Sequence, residues 1–284
     1  MGDAQLWQTA RPPPDSTAAD THDDDADDPD ERRAAPAAPG PPDAADDMFA
    51  EADDIFAATP ERPRATGAKR GLQDAYDDPE GYYNFQVGEV MDTRYEVYAN
   101  LGRGVFSSVL RARDTEQQGT DDQFPEVAVK VLRANETMTK AGQLETAICR
   151  KLAGADPDGK RHCVRMLRHF DYRGHLCLVF EPLDMNLREL TKKYGRGVGL
   201  NVGAVRLYTA QLLQALYHLR NCGVVHADLK PDNILVNKQR TAVKVCDFGN
   251  AMFDGPDNEY TPYIGSRFYR APEVILGLRY GMHD

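Results

Sequence analysis

From about Tyr83 onward the chain alternates apolar and polar positions with regular periods, and before that point it does not. Tyr95–Leu101, Val109–Arg113 and Glu126–Leu132 carry the residue types and alternation of strands, with turn chemistry between them. Residues 139–152 read as a helix, because Leu144, Ile148 and Leu152 recur every four residues and Thr139 stands where an N-cap belongs. Val164–Phe170 and His175–Phe180 are two more strands around the turn Asp171–Gly174. After Pro182 the period becomes helical. Residues 202–221 set Val205, Tyr208, Leu212, Leu216 and Leu219 on one face, behind Asn201 as a cap and ahead of Gly223 as a stop. Ile234–Val236 and Val243–Cys246 make a short hairpin. This order predicts an α+β architecture, a five-stranded lobe with one main helix followed by a helical lobe.

Composition changes the picture only at the front. Residues 1–80 hold 21 acidic and 7 basic side chains, a net of −14 in a chain of net −11, so residues 81–284 carry +3. This Ala-, Asp- and Pro-rich stretch is too polar to offset the entropy of ordering and is expected to be a disordered tail. Within it Asp46-Asp-Met-Phe-Ala50 recurs as Asp53-Asp-Ile-Phe-Ala57, which reads either as a pair of docking motifs for a partner or as apolar spots in a solvated tail. The near-neutral remainder gives no reason to expect direct nucleic-acid binding. Five scattered cysteines without a C-x-x-C pair argue for reduced thiols rather than disulfides or a zinc site. The longest strongly apolar run, Leu176–Phe180, is far too short to cross a bilayer. The N-terminus lacks a signal-peptide pattern, and Leu6 breaks the myristoylation pattern. These features predict a soluble intracellular protein.

Four stretches carry chemistry. Leu101-Gly-Arg-Gly-Val-Phe-Ser-Ser-Val109 puts Leu101, Gly102, Arg103 and Gly104 at a strand–turn–strand where backbone N–H groups can approach phosphate oxygens. Ser107 replaces a third glycine, so alone the stretch reads first as a plain hairpin. Val127-Ala-Val-Lys130 sets a lysine in an apolar strand; if buried it needs an anion, which Glu145 on the next helix can supply, and the other reading is a surface lysine on an edge strand. His226-Ala-Asp-Leu-Lys-Pro-Asp-Asn233 is more specific. Asp228 would accept a hydroxyl proton, Lys230 would neutralise charge on a transferring phosphoryl group, and Asn233 would offer an oxygen to a metal. The hairpin then delivers Asp247-Phe-Gly249, whose carboxylate suits Mg²⁺ bridging the phosphates of ATP.

These motifs in this order, with Ala271-Pro-Glu273 after them, resemble the protein kinases from about Asn84 to Asp284. Thr261-Pro-Tyr-Ile-Gly-Ser-Arg-Phe-Tyr-Arg-Ala-Pro-Glu273 resembles the CMGC group near the DYRK kinases. Glu80-Gly-Tyr-Tyr83, Arg168-His-Phe170, Leu176–Leu183, Met185–Glu189 and His226-Ala-Asp228 are similar to the pre-mRNA processing factor 4 kinase family. The resemblance implies a bilobal fold, with residues 81–183 as small lobe and hinge and 184–284 as a partial large lobe. It also implies ATP and Mg²⁺ as cofactors, Ser/Thr phosphorylation of spliceosomal protein substrates, a nuclear location, and tyrosine autophosphorylation. By the same resemblance Phe180 is a gatekeeper and Glu181 and Leu183 offer hinge backbone groups. Val109, Ala128 and Leu235 sandwich the adenine, while Cys149, Met166, His226 and Phe248 form an apolar stack between the lobes; all of these also read as ordinary core residues.

Two departures matter. Ala227 stands where most kinases have an arginine that pairs with an activation-segment phosphate; a phosphate on Tyr263 would instead dock on Arg267 and Arg270, unless these arginines only pack or pair with carboxylates. The chain also stops eleven residues after Glu273, so the resemblance implies an incomplete large lobe and an exposed apolar face on the 202–221 helix. The alternative to an active kinase is therefore a kinase-like binding module without robust catalysis.

Overall fold

The computed structural model describes residues 76–117, 124–255 and 260–281. The acidic stretch up to residue 75, with its repeated motif, lies outside the described residues. Alternation sorts the small lobe. β1 (Val90–Met91), β2 (Tyr95–Arg103), β3 (Ser107–Asp114), β4 (Glu126–Leu132), β5 (Met166–Tyr172) and β6 (His175–Phe180) form one antiparallel sheet in the order β1-β2-β3-β4-β6-β5. The expected five strands become six because β1, two residues long, gives no period to read; it pairs Met91 with Tyr95. β6 is buried along its whole length, and its successive side chains feed two cores. Leu176, Leu178 and Phe180 enter one of them, while Cys177 and Val179 enter the other with Tyr95, Leu110 and Phe170. β4 divides likewise: Val127, Val129 and Val131 go to the second core, and Ala128 and Leu132 face the first.

Lying against that first face is α1 (Glu136–Ala155). Its N-cap is Asn135, in extended conformation with Oδ1 accepting from the Met138 N–H at 2.8 Å, and not Thr139. The Thr139 hydroxyl donates back to the Asn135 carbonyl inside the first turn. That first turn is polar and largely exposed, so apolar periodicity could not reveal it. The buried stripe also differs from the expected one. Ile148, Cys149 and Leu152 are buried with Glu145, while Leu144 is exposed. Steps of four drift about 40° each in a helix of 3.6 residues per turn, which carries Leu144 off the face. At Gly142 a Cβ would meet methyl carbons of Leu132 and Leu176 at 2.8 Å, so glycine lets the helix approach the sheet closely.

The large lobe begins with β7 (Met185–Asn186) and α2 (Leu187–Gly195), where Asn186 and Glu189 form a reciprocal capping box. α3 (Val202–Asn221) is capped by Asn201 and followed by Gly223 at φ 62°, both as expected. Its buried face, however, is Ala204, Tyr208, Ala215, His218 and Leu219. Of the expected stripe, Val205 and Leu216 are exposed, in line with the exposed apolar face expected of this helix, and Leu212 is half-buried. Two alanines and a histidine weigh little in an apolar pattern, yet they make the contact. β8 (Val224–Val225) pairs with β11 (Met252–Phe253), and β9 (Ile234–Val236) pairs with β10 (Val243–Val245) and β7. α4 (Pro272–Ile275) is one turn.

The lobes share one core. Ile148, Met166, Leu178 and Phe180 cluster with Ala215, Leu219, Val245 and Phe248. Reciprocal backbone bonds of 2.8 Å, Val164 N–H to Val245 O and Val245 N–H to His162 O, fix the end of the hairpin beside the segment entering β5. Residues 76–80, assigned to the tail by composition, belong to the folded body: Asp77 pairs with Tyr83 and bonds His175, and Asp78 binds Arg103. Charge alone placed the boundary a few residues late, because these acids are partnered. No helix among the described residues is long and apolar enough to cross a membrane.

The two possible helix starts make different predictions. Asn135→Ala should cost about 1 kcal/mol of stability in denaturant unfolding, the usual loss of an N-cap, and Thr139→Ala clearly less. Equal losses would place the cap wrongly.

Candidate active site

Lys130 sits on the α1 face of β4, because it shares alternation with Ala128 and Leu132. Its ammonium donates to Glu145 Oε1 at 2.7 Å and Oε2 at 3.0 Å, and to Asp247 Oδ1 at 2.8 Å. Burial alone would lower the lysine, but the two carboxylates overcome it and hold Lys130 above its ordinary range. Asp247, half-exposed, is held low chiefly by the Lys130 charge. Glu145 is only 2% exposed; burial pushes it up against the pull of Lys130.

A second cluster is built on the loop after β8. Asp228 Oδ2 accepts from Lys230 Nζ at 2.9 Å and from Asn233 Nδ2 at 3.2 Å, and Asn233 Nδ2 also bonds the Asp228 carbonyl at 2.9 Å. Asp228 Oδ1 accepts two bonds of 2.8 Å from Ser266, one from its N–H and one from its hydroxyl, and Lys230 donates to the same hydroxyl at 2.7 Å. Nothing in the sequence says that Ser266, 38 positions away, reaches Asp228.

The two clusters are joined by backbone. His226 Nε2–H donates to the Cys246 carbonyl at 2.9 Å, and its Nδ1 accepts the Asp228 N–H at 3.2 Å. Burial lowers His226, which keeps this neutral tautomer. The Cys246 N–H in turn donates to the Asn233 carbonyl at 2.9 Å. Ala227 and Asp247 both adopt left-handed backbone, φ 64° and 61°, a strained state for non-glycine residues. Gly265 packs on that loop: at φ 75° a Cβ there would lie 2.9 Å from the Ala227 carbonyl oxygen, so this contact admits only glycine. Cys246, although beside Asp247, is kept a thiol by burial and offers no nucleophile.

The remaining expected residues fall as follows. Ala128 pairs with Phe180 and Val109 with Lys130 in the sheet, while Leu235 pairs with Lys244 and Asn186 across β9. Ala128 and Leu183 pack against the shared core that contains Phe180. The carboxylate of Glu181 is taken by Lys244 at 2.6 and 2.8 Å and by the Arg165 N–H, and its own N–H donates to the Arg165 carbonyl at 3.1 Å, which leaves its carbonyl for a ligand. Leu101 is exposed on β2. The Arg103 side chain turns away from the glycine-rich loop to Asp78 and Glu80, leaving only its main chain for a phosphate. Cys149, Met166 and Phe248 share one core, with the His226 ring 5.3 Å from that of Phe248. Tyr263 is 83% exposed, Arg267 is exposed, and Arg270 donates to the carbonyls of Tyr263, Ile264 and Gly265 at 2.9–3.3 Å.

The donor set fits Mg²⁺ held jointly with phosphate oxygens. Asn233 Nδ2 is committed to Asp228, which leaves its Oδ1 for a cation, and the Asp247 carboxylate is half-exposed. Among the described residues no group of three or more His, Cys, Asp or Glu could hold a metal unaided.

The buried pair has a measurable signature. In Lys130→Met the Glu145 carboxylate is left buried without a counter-charge, so its folded pKa lies above the unfolded value. Stability is then intact at acid pH and is lost as pH rises. Relative to the unaltered chain, the variant should lose about 3–5 kcal/mol by pH 8 and much less at pH 5. Adding Glu145→Gln should abolish that pH dependence in thermal melts; its persistence would show that another group is responsible.

Comparison with known proteins agrees with this geometry. Residues 95–284 match the family described as Protein kinase domain. The chain is 46% identical over 242 residues to the serine/threonine-protein kinase prp4 of Schizosaccharomyces pombe, an alignment covering 84% of this chain and 49% of that protein. It is 45% identical over 211 residues to the serine/threonine-protein kinase prpf4B of Dictyostelium discoideum, covering 74% of this chain and 25% of that one. It is 39% identical over 217 residues to the dual specificity tyrosine-phosphorylation-regulated kinase mbk-2 of Caenorhabditis briggsae, covering 76% and 25%. The chain thus spans half or less of the length of these relatives. With two thirds of its residues inside the matched domain, the chain belongs to the protein kinase family.

Proposed function

We propose that the protein transfers the γ-phosphate of ATP to serine or threonine hydroxyls of proteins. The observation that carries this reading is the grip of Asp228 and Lys230 on the Ser266 hydroxyl. A carboxylate accepts its proton while an ammonium donates to its oxygen, which is the environment an attacking hydroxyl needs. A substrate hydroxyl taking that place would pass its proton to Asp228 as its oxygen bonds the γ-phosphorus and the bond from that phosphorus to the bridging oxygen breaks, ADP leaving, and Lys230 would stay beside the oxygens that gain charge. Asn233 keeps Asp228 oriented through Nδ2. Lys130, already fixed by Glu145, would exchange its contact with Asp247 for nucleotide phosphates. Mg²⁺ held by Asn233 and Asp247 would supply charge neutralisation between those phosphates. Val109, Ala128 and Leu235 would enclose the adenine below Phe180, with backbone groups of Glu181 and Leu183 beside it.

The likeness to prp4 and prpf4B kinases supports a narrower form of the reading, in which the substrates are splicing proteins met in the nucleus. We also propose that Tyr263 becomes phosphorylated within the same chain. Its exposed ring stands before Arg267, and Arg270 already lies along the Tyr263–Gly265 backbone, so a phosphate there would gather guanidinium groups and stiffen the segment.

Asp228→Asn should lower phosphate transfer to a serine-containing protein by about 10²–10⁴-fold while ATP affinity stays unchanged. A protein that shows neither ATP-dependent transfer nor stabilisation by ATP would instead be a binding module. Tyr263→Phe should lower substrate phosphorylation measurably, and undiminished activity would remove Tyr263 from the account.

A further inference from the structure

The segment ahead of the small lobe does more than cover it. Tyr82 is 7% exposed, and its hydroxyl lies 2.8 Å from both the Gly104 and the Val105 carbonyl oxygens, at the tip of the glycine-rich loop. Its ring is stacked between two guanidinium groups, Arg103 at 3.6 Å and Arg133 at 4.7 Å from the ring centre. Each arginine is itself anchored in the same segment: Arg103 on Asp78 at 2.7 Å and Glu80 at 2.8 Å, Arg133 on the Glu80 carbonyl at 2.9 Å. Arg133 Nη1 also reaches the Val105 carbonyl at 3.2 Å, and its backbone N–H reaches that of Phe106 at 3.1 Å. A hydroxyl has one proton to give. Val105 O has a second donor in Arg133, so Gly104 O depends on Tyr82.

These bonds fix the direction of the opposite groups. No described peptide bond is cis, and in a trans peptide the C=O and the next N–H point opposite ways. Turning the Gly104 and Val105 carbonyls toward Tyr82 therefore turns the Val105 and Phe106 N–H groups away from it, and among the described residues neither amide donates a hydrogen bond. Free N–H groups in a glycine-rich turn are what anionic oxygens bind.

We infer that Tyr82 is a positioning residue for the phosphate-binding loop, holding two peptide planes so that their amides meet the nucleotide phosphates. The inference rests on the ATP reading above and adds to it a residue outside the loop, which contacts no nucleotide. Because Arg133 leads into Asn135 and α1, the same strap ties the loop tip to the helix that carries Glu145.

Titration calorimetry of the chain with Mg-ATP and with adenosine separates positioning from general support. Tyr82→Phe keeps the ring between the arginines and removes only the hydroxyl. Its Kd for Mg-ATP should rise about fivefold, the scale of one hydrogen bond, while the Kd for adenosine, which has no phosphates, stays put. Equal ATP affinity in the two chains, or an equal loss for adenosine, overturns the role of Tyr82. Failure of the unaltered chain to bind ATP overturns the nucleotide reading itself, and this inference with it.

Discussion

A lysine ammonium with little access to water constrains this structure, since it is stable only where the fold brings it anions. The sheet contributes Lys130, the helix across from it contributes Glu145, and the hairpin of the other lobe contributes Asp247. None of the three elements satisfies the charge alone. Glu145 is buried enough to be costly unpaired, so β4 and α1 must stay in register, and Gly142 allows the approach this needs. Asp247 is different. Being half-exposed, it can exchange its partner for solvent or for a cation at lower cost, so the contact between lobes is the exchangeable member of the triad.

The polar cluster around Asp228 was legible in the sequence because residues at short spacings within one loop stay neighbours when the chain folds. Asp228, Lys230 and Asn233 are neighbours in the chain and remain neighbours in space. Strand alternation was equally legible in β4 and β6, where one period decided which residues enter which core. What failed was inference from apolar spacing where polar or small residues make the contact. Glu145 occupies the α1 stripe that Leu144 was expected to fill, and Ala204, Ala215 and His218 occupy the α3 face ahead of Val205 and Leu216. Long-range partners were invisible for another reason. Ser266 on Asp228 and Tyr82 on Gly104 join residues 38 and 22 positions apart, and no local pattern encodes such distances.

The site is framed at both ends by main-chain contacts. On one side a tyrosine and two arginines hold the carbonyls of the glycine-rich loop. On the other, Arg270 holds three successive carbonyls of the segment that carries Tyr263, and Gly265 seats on the Ala227 carbonyl. Ala227 has no polar side chain to reach that segment, yet its left-handed backbone presents a carbonyl that only a glycine can approach. Position 227 therefore couples the loop that carries Asp228 to the downstream segment by shape, where an arginine would couple it by charge.

Coupling by shape and coupling by charge respond to different things. A guanidinium that waits for a phosphate leaves a segment loose until modification arrives, and its grip weakens with salt. A steric seat is present from the moment the chain folds and is indifferent to ionic strength. The Ser266 bonds to Asp228 and Lys230 involve neither the Tyr263 side chain nor the exposed Arg267. Asp228 is thus held by contacts that need neither side chain, and a phosphate on Tyr263 would act on the outer segment more than on the geometry at Asp228. Regulation by charge and alignment by shape are then separate properties of adjacent residues, which is a physical reason why an alanine at position 227 is compatible with an otherwise complete set of polar groups.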